Sequence, residues 1–338
     1  MSTIHLELST PRLEALLAGF ARAKVLVVGD LFADEYVTGE VARISREAPV
    51  LILQHSNATV FPGGAANAAA NIASLGGAVD MAGVVGEDLM AGQLKAELNQ
   101  RGVGTDLSLP DPSRPTTTKS RISASSQQSV TQQIVRVDRE KRHPLDADLE
   151  ARLLAAIEAR LPGYDAVLLS DYGNGVLTPS LIARMCELVG RAGKVLTVDS
   201  QGDLSRFPGA WVVTPNQPEA EAEVGFTITD DATLRAAGAK ILAGTSLRSV
   251  LITRGGAGMA LFEREGGLTE IPAFNRSDVF DVTGAGDTVV GTLTMALAAG
   301  ATPREAVVLA NLAASIVVRR FGTSVTNVQE MREAWDAL

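Results

Sequence analysis

The sequence predicts an α/β fold: a mostly parallel sheet covered by helices on both faces. Two observations carry this. Apolar runs of strand length alternate with helix-period segments along most of the 338 residues. The chain is also 46% hydrophobic, ample for a layered core. A third observation places the chemistry. Asp30, Asp34, Asp171, Asp199, Asn216 and Thr253 all fall where predicted strands end, and parallel sheets bind ligands outside the carboxyl ends of their strands.

Taken in order, residues 24–29 read as a buried strand and Asp30 as a polar turn. Residues 36–60 are rich in β-branched and polar types with weak period-2 alternation, which predicts short antiparallel strands outside the main sheet, as a lid. A small-residue helix follows over 64–75 and a strand over 79–85. Residues 116–137 repeat the lid-like composition. Beyond them the pattern predicts a helix over 147–161, strand 166–170, helix 179–191, strands 195–199 and 211–213, helix 231–243 and strand 249–253. Residues 258–262 and 268–271 resemble a hairpin, and helices over 288–299, 303–319 and 328–337 close the chain. With no internal repeat or low-complexity linker, one domain over 1–338 is expected, carrying lid segments at about 36–60 and 116–137.

A net charge of -9 and a pI near 5.0 argue against a general nucleic-acid binder. An anionic substrate would need a local basic pocket, because the overall field repels it. Cys186 is the only cysteine and lies in a helix pattern, so it reads as core in a reducing cytoplasm. The first twenty residues carry acidic side chains and no long apolar stretch, and no apolar run reaches the roughly 18 residues of a membrane span. A soluble, cytoplasmic protein without a membrane partner is expected.

The run Asp281-Val282-Thr283-Gly284-Ala285-Gly286-Asp287-Thr288 is the most informative stretch. A glycine-rich turn entering a helix aligns unpaired N–H groups with the positive end of the helix dipole, which makes an anion cradle. An aspartate at its rim can take a proton from a hydroxyl while the amides hold the charge of a transferring phosphoryl group. The plainer alternative is a helix start whose first-turn acid complements the dipole. Four further groups stand beside it. Asp30 and Asp34 offer carboxylates for sugar hydroxyls, or turn and cap chemistry. Pro62-Gly63-Gly64-Ala65-Ala66-Asn67 opens a helix with glycines that let a ligand approach the backbone. Asn216 and Glu219 suit a water-bridged magnesium ion beside phosphates, or a helix cap. Thr253-Arg254-Gly255-Gly256-Ala257-Gly258 suits a nucleotide or a hairpin turn. Gly173-Asn174-Gly175 lacks the spacing of a dinucleotide-binding fingerprint, which leaves a dehydrogenase weakly supported.

Together, from about Lys24 to about Val325, these residues resemble the PfkB, or ribokinase-like, family of carbohydrate kinases. The resemblance implies a three-layer α/β/α sandwich with a small β lid, ATP and magnesium as cofactors, and a sugar or sugar phosphate as substrate. Within the family the chain is most similar to the heptose 7-phosphate kinases. The residues behind this are Arg43 to Val50, Gly63 to Asn67, Asn71 to Gly76, Ser170-Asp171-Tyr172, Asp281 to Thr288 and Phe321-Gly322-Thr323-Ser324. Carried over residue by residue, Asp287 is the base, and Gly284, Ala285 and Gly286 supply amides to the γ-phosphate. Asp34, Gly63, Gly64 and Asn67 hold the sugar, with the lid cations Lys119, Arg121 and Arg136. Asn216 and Glu219 serve magnesium and phosphate. Thr253, Gly255, Gly258 and Asn311 line the nucleotide pocket, although Asn311 also suits a buried polar group of a helix. Asp281 and Thr283 match a monovalent-cation site, with potassium as the ion. A homodimer through the lid is implied. The chain departs from the heptose-kinase pattern at Arg46, where proline is usual, and at Asn174 and Gln201, where lysines are usual; about five residues are inserted around 126–132. A kinase for another sugar, and a catalytically idle sugar-binding protein, are the alternatives.

Overall fold

The structure, a computed structural model, describes residues 8–126, 129–274, 279–320 and 322–338. Residues 127–128 of the expected lid insertion and Phe321 of the C-terminal motif lie outside the described residues. The chain begins with α1 (Thr10–Phe20), β1 (Lys24–Gly29), β2 (Leu31–Ile44), β3 (Leu51–Gly64), α2 (Ala65–Ser74), β4 (Ala78–Val85) and α3 (Leu89–Gln100). Then come β5 (Val103–Gly104), β6 (Ser108–Pro110), β7 (Thr118–Ser126), β8 (Ser129–Arg139), α4 (Ala147–Arg160), β9 (Ala166–Asp171), α5 (Pro179–Arg191) and β10 (Val195–Ser200). The remainder is β11 (Val212–Val213), α6 (Gln217–Val224), α7 (Asp231–Gly244), β12 (Ser249–Thr253), β13 (Met259–Glu263), β14 (Gly267–Ile271), α8 (Ala285–Ala298), α9 (Pro303–Val317) and α10 (Val328–Asp336).

Ten strands form the main sheet in the order β14-β13-β12-β11-β10-β9-β1-β4-β5, with β6 beside β4. Every pair from β12 to β5 is parallel, and β13 and β14 add an antiparallel hairpin at one edge. The strand sequences explain the layering. Along β1, Val25 and Val27 enter a core shared with α1, α2, α8 and α9, whereas Leu26 and Val28 enter a second core shared with α4, α5 and α7. Ala166 and Leu168 against Val167 and Leu169 repeat the division on β9. A strand buried on both faces must be apolar at every position, which is why these segments read as unbroken runs. The result is the expected three-layer sandwich. Cys186 lies in the second core, where burial pushes its thiol up to about 11. Among the described residues no helix is long and apolar enough to cross a membrane.

Several expectations are corrected. Asp30 is not a turn: it is the single residue between β1 and β2, so the chain passes directly from the main sheet into the lid. The lid strands are longer than 36–60 implies, and β2 and β3 span 14 residues each. Nor is the lid wholly antiparallel. Its order is β3-β2-β7-β8, and β2 pairs with β7 in parallel, because two separately connected hairpins meet side by side. The expectation omitted α1, α3, β5 and β6, and included α6 only through the helix-cap reading of Asn216 and Glu219.

Candidate active site

Asp287 is the third residue of α8, whose N-cap Gly284 has φ +77°. A Cβ at Gly284 would lie 2.7 Å from Asn67 Nδ2, so glycine is required both by the backbone and by the approach of α2. That approach matters, because Asn67 Nδ2 donates to Asp287 Oδ2 at 2.7 Å. The phenol of Tyr172, on the loop after β9, donates to Asp287 Oδ1 at 2.7 Å. Asn67 is held in turn: Asn71 Nδ2 donates to its carbonyl at 2.9 Å, and Thr288 Oγ1 donates to Asn71 Oδ1 at 2.8 Å. Asp287 is only 5% exposed, and burial raises its pKa to about 6 despite the two donors that favour the carboxylate. The expected cradle of three amides is smaller than the sequence implied. Ala285 N–H donates to the Val282 carbonyl at 3.1 Å, which leaves the amides of Gly284 and Gly286 for an anion.

Asp30 does not reach a sugar position. Its carboxylate accepts the N–H groups of Tyr172 (2.9 Å), Asn174 (3.1 Å) and Val176 (3.2 Å) and so pins the loop that carries Tyr172. The Gly173-Asn174-Gly175 turn belongs to this loop. Asn174, where a lysine was expected, is buried with its amide on Thr117 Oγ1 at 3.2 Å. A cation that the sequence reading passed over, Arg206, pairs with Asp171 at 2.8 Å near the ends of β9 and β10.

The lid places Asp34, Lys119 and Arg121 together. Asp34 lies opposite Lys119 and Tyr36 opposite Arg121 in the β2–β7 register, so all four share one face. Arg121 pairs with Asp34 at 2.6 Å, and both are largely buried. A Cβ at Gly63 would lie 2.5 Å from Asp34 Oδ2, which explains the first glycine of that pair; Gly64, at φ +57°, is the N-cap of α2. Lys119 Nζ has no carboxylate at ion-pair distance among the described residues. It sits 4.2 Å from the Phe32 ring centroid and 5.9 Å from that of Tyr172, and burial lowers its pKa. Arg136 lies on the same face opposite Arg121, but it is half-exposed and paired with Asp138 at 2.8 Å. Lys119 and Arg121 therefore converge on the site, whereas Arg136 stands at its rim. Arg46 is exposed at the tip between β2 and β3.

On the other side of α8's first turn lies a mainly apolar cavity of about 190 Å³. Thr253, Gly255, Gly258 and Asn311, predicted together from sequence, all line it, with Ala285 and Gly286 of the glycine turn. Asn311 is buried, and its Nδ2 donates to the Pro272 carbonyl at 2.8 Å. It thus has both roles the sequence allowed: a helix polar group and a wall of the cavity. Asn216 and Glu219 form a capping box at α6: Asn216 Oδ1 accepts Glu219 N–H at 2.9 Å, and Glu219 Oε2 accepts Asn216 N–H at 2.8 Å. The plainer of their two readings is therefore realised. The pair still adjoins the cavity, because Asn216 bridges to Thr253. Burial raises the pKa of Glu219, and burial with the charges of Asp287 and Glu219 raises that of Asp199 to about 7. Among the described residues no cluster of His, Cys, Asp and Glu is arranged to enclose a metal. Asp281 accepts the N–H groups of Thr283 and Gly322, each at 2.9 Å. These donors outweigh its burial and hold its pKa below the usual carboxylate range.

Tyr172, Asn71 and the pinning role of Asp30 were not foreseen as site features. The signal for Tyr172 was its place one residue past a parallel strand's carboxyl end.

Comparison with known proteins identifies the family and the fold. The bifunctional protein HldE of Geobacter metallireducens is 42% identical over 319 residues, covering 94% of this chain and 64% of the relative. That of Caulobacter vibrioides is 43% identical over 315 residues, covering 92% and 63%. The chain thus spans just under two thirds of the length of these curated relatives. Among solved structures, Arabidopsis thaliana ribokinase complexed with ribose and ATP superposes with TM-score 0.70 at 21% identity, covering 92% of this chain and 98% of that one. Phosphofructokinase-2 of Escherichia coli in complex with potassium gives 0.73 at 19%, covering 93% and 98%. At such identities these two establish the ribokinase-like fold alone. Residues 22–330 match the description pfkB family carbohydrate kinase, and with the relatives above this establishes that the chain belongs to the pfkB family of carbohydrate kinases, phosphotransferases that act on a sugar hydroxyl.

Proposed function

We propose that this chain transfers the γ-phosphoryl group of ATP to the anomeric hydroxyl of D-glycero-D-manno-heptose 7-phosphate, giving the 1,7-bisphosphate. The observation that carries the reading is the position of Asp287. It stands between the apolar cavity lined by Thr253, Gly255, Gly258 and Asn311 and a lid face bearing Lys119 and Arg121. The resemblance to heptose 7-phosphate kinases and the identity to the HldE proteins support the substrate.

Asp287 accepts the proton of the acceptor hydroxyl as the bond to phosphorus forms and the bond to the nucleotide's bridging oxygen breaks. Gly284 and Gly286 donate to the transferring group at the dipole-positive end of α8. Asn67 and Asp34 orient the sugar, and Lys119 and Arg121 offset its distal phosphate. Arg136 serves as an outer contact. Thr253, Gly255, Gly258 and Asn311 enclose the nucleotide. The oxygens of Asn216 and Glu219 suit a magnesium ion that keeps its waters, since the capping box leaves Glu219 Oε1 uncommitted and no enclosing cage is needed. Bound magnesium supplies charge neutralisation between the phosphates. Asp281 and Thr283 form the monovalent-cation site of the proposal, with potassium as the ion. A homodimer through the lid is also proposed, supported by exposed Val135 and Val137 on the face opposite Arg121 and Arg136. A cytoplasmic location fits the unpaired Cys186.

One observation favours a second reading, a kinase for another sugar or sugar phosphate: Asn174 is buried where a lysine was expected. A panel of free and phosphorylated sugars with MgATP, followed by ³¹P NMR, separates the readings. Heptose 7-phosphate should be the best acceptor, with a new anomeric phosphate signal. Turnover of a free pentose or hexose with none of heptose 7-phosphate would end the heptose assignment. No ATP consumption with any sugar would favour an idle sugar-binding protein.

A further inference from the structure

We propose that Tyr172 is a positioning residue for Asp287: its phenol O–H fixes the carboxylate in the orientation from which it meets the acceptor hydroxyl. The proposal rests on reading Asp287 as the base. Among the described residues each carboxylate oxygen has a single side-chain donor, Asn67 on Oδ2 and Tyr172 on Oδ1, both at 2.7 Å. These donors come from different elements, α2 and the loop after β9, so together they prevent rotation of the carboxylate. The phenol is itself aimed. Asp30 holds the backbone of Tyr172, Asn174 and Val176. Phe32 meets the ring edge-on at 5.0 Å, and Lys119 lies 5.9 Å from its centroid. A tyrosine that only filled space would need its ring packed but not its hydroxyl directed.

The surroundings set the sign of the effect. Besides its two donors, Asp287 feels Asp34, which favours the protonated acid, and Lys119, which favours the carboxylate; Asp199 faces it from β10. Arg121 is paired with Asp34. Burial and the nearby carboxylates raise the pKa of Tyr172 well above its ordinary value, so it remains an O–H donor throughout the neutral range. Removing that donor removes a contact present only to the charged form, and protonation of Asp287 becomes easier.

The test compares wild type with Tyr172→Phe, which keeps the ring, by two readouts. The first is the ¹³Cγ titration of Asp287 in ligand-free protein, and the second is the acid limb of kcat/KM for the sugar. Both should move up by about one pH unit, the scale of one charge-assisted hydrogen bond. The loss of kcat/KM should be about fivefold larger at pH 6 than at pH 8.5, for a limb that moves from about 6 by one unit. Incorporation of 3-fluorotyrosine at 172, a stronger donor, should move both limbs down, and it serves as the test if the phenylalanine variant does not fold. An equal loss at every pH with an unmoved ¹³C titration would overturn the proposal, leaving Tyr172 as packing. A carbon titration that moves in a protein that phosphorylates no sugar would overturn the kinase reading instead.

Discussion

Asp287 and Lys119 face the same site from supports that differ in kind. Around Asp287, α2 and α8 pack through fully buried small and apolar residues, among them Ala68, Ile72, Val290 and Leu293. A chain of hydrogen bonds runs there from Thr288 through Asn71 and Asn67 to the carboxylate. Around Lys119, the lid is a single four-stranded sheet with exposed Val41, Val135 and Val137, and the Lys119 ammonium lies against ring faces with no carboxylate at ion-pair distance among the described residues. The difference teaches where this fold places rigidity. Asp287, the proposed base, is over-determined by dense packing, and Lys119 and Arg121, the proposed sugar contacts, stand on hairpins with less beneath them.

Variants that break the rigid side should act on turnover, and variants of the lid on substrate affinity. Among the residues that support Asp287, the largest effect is expected from Gly284→Ala. It combines strain at φ +77° with a Cβ 2.7 Å from Asn67 Nδ2, and a strained position of this type costs roughly 1–3 kcal/mol. We expect kcat to fall about tenfold to a hundredfold with KM for the sugar little changed, measured by steady-state kinetics. Lys119→Met should do the reverse. KM for a phosphorylated sugar should rise by roughly ten- to a hundredfold, that for MgATP should stay level, and an unphosphorylated sugar should feel little.

Two smaller predictions concern stability. Burial raises the folded pKa of Asp287 to about 6, so its ionised form destabilises the native state. That penalty is absent below the unfolded pKa of about 4 and complete above about 6. Asp287→Asn should therefore gain on the order of 1 kcal/mol in urea unfolding at pH 8 and nothing at pH 4. Asn216→Ala removes half of a capping box. It should lose about 1 kcal/mol by the same measurement, and its magnesium half-saturation point should rise only if the pair also serves the metal.

The main sheet was legible because its strands must be apolar on both faces. The boundaries of β1, α5 and β12 were predicted to the residue. The glycine turn was also legible, because a positive φ leaves glycine as its signature, whereas the grouping of Thr253, Gly255, Gly258 and Asn311 followed from the family resemblance. What was hidden depends on distant pairing. Asp30 holds N–H groups 142 to 146 positions away, so nothing local separates it from a sugar ligand. Tyr172 meets a carboxylate 115 positions on. The parallel join of β2 to β7 likewise follows from where two hairpins leave the sheet, which their own residues do not encode. Asn216 and Glu219 had two readings of equal spacing, and the local one, a cap, is realised because it needs nothing beyond its own helix.

The central claim is that Asp287 takes the proton of a hydroxyl held opposite a nucleotide's last phosphate. Single-turnover transfer from MgATP to heptose 7-phosphate by Asp287→Asn, with equilibrium binding of both ligands measured alongside, tests it most directly. Binding of each within a few-fold of wild type with transfer slowed by about 10²–10⁴ is the predicted result. Transfer at the wild-type rate with both ligands bound would contradict the claim.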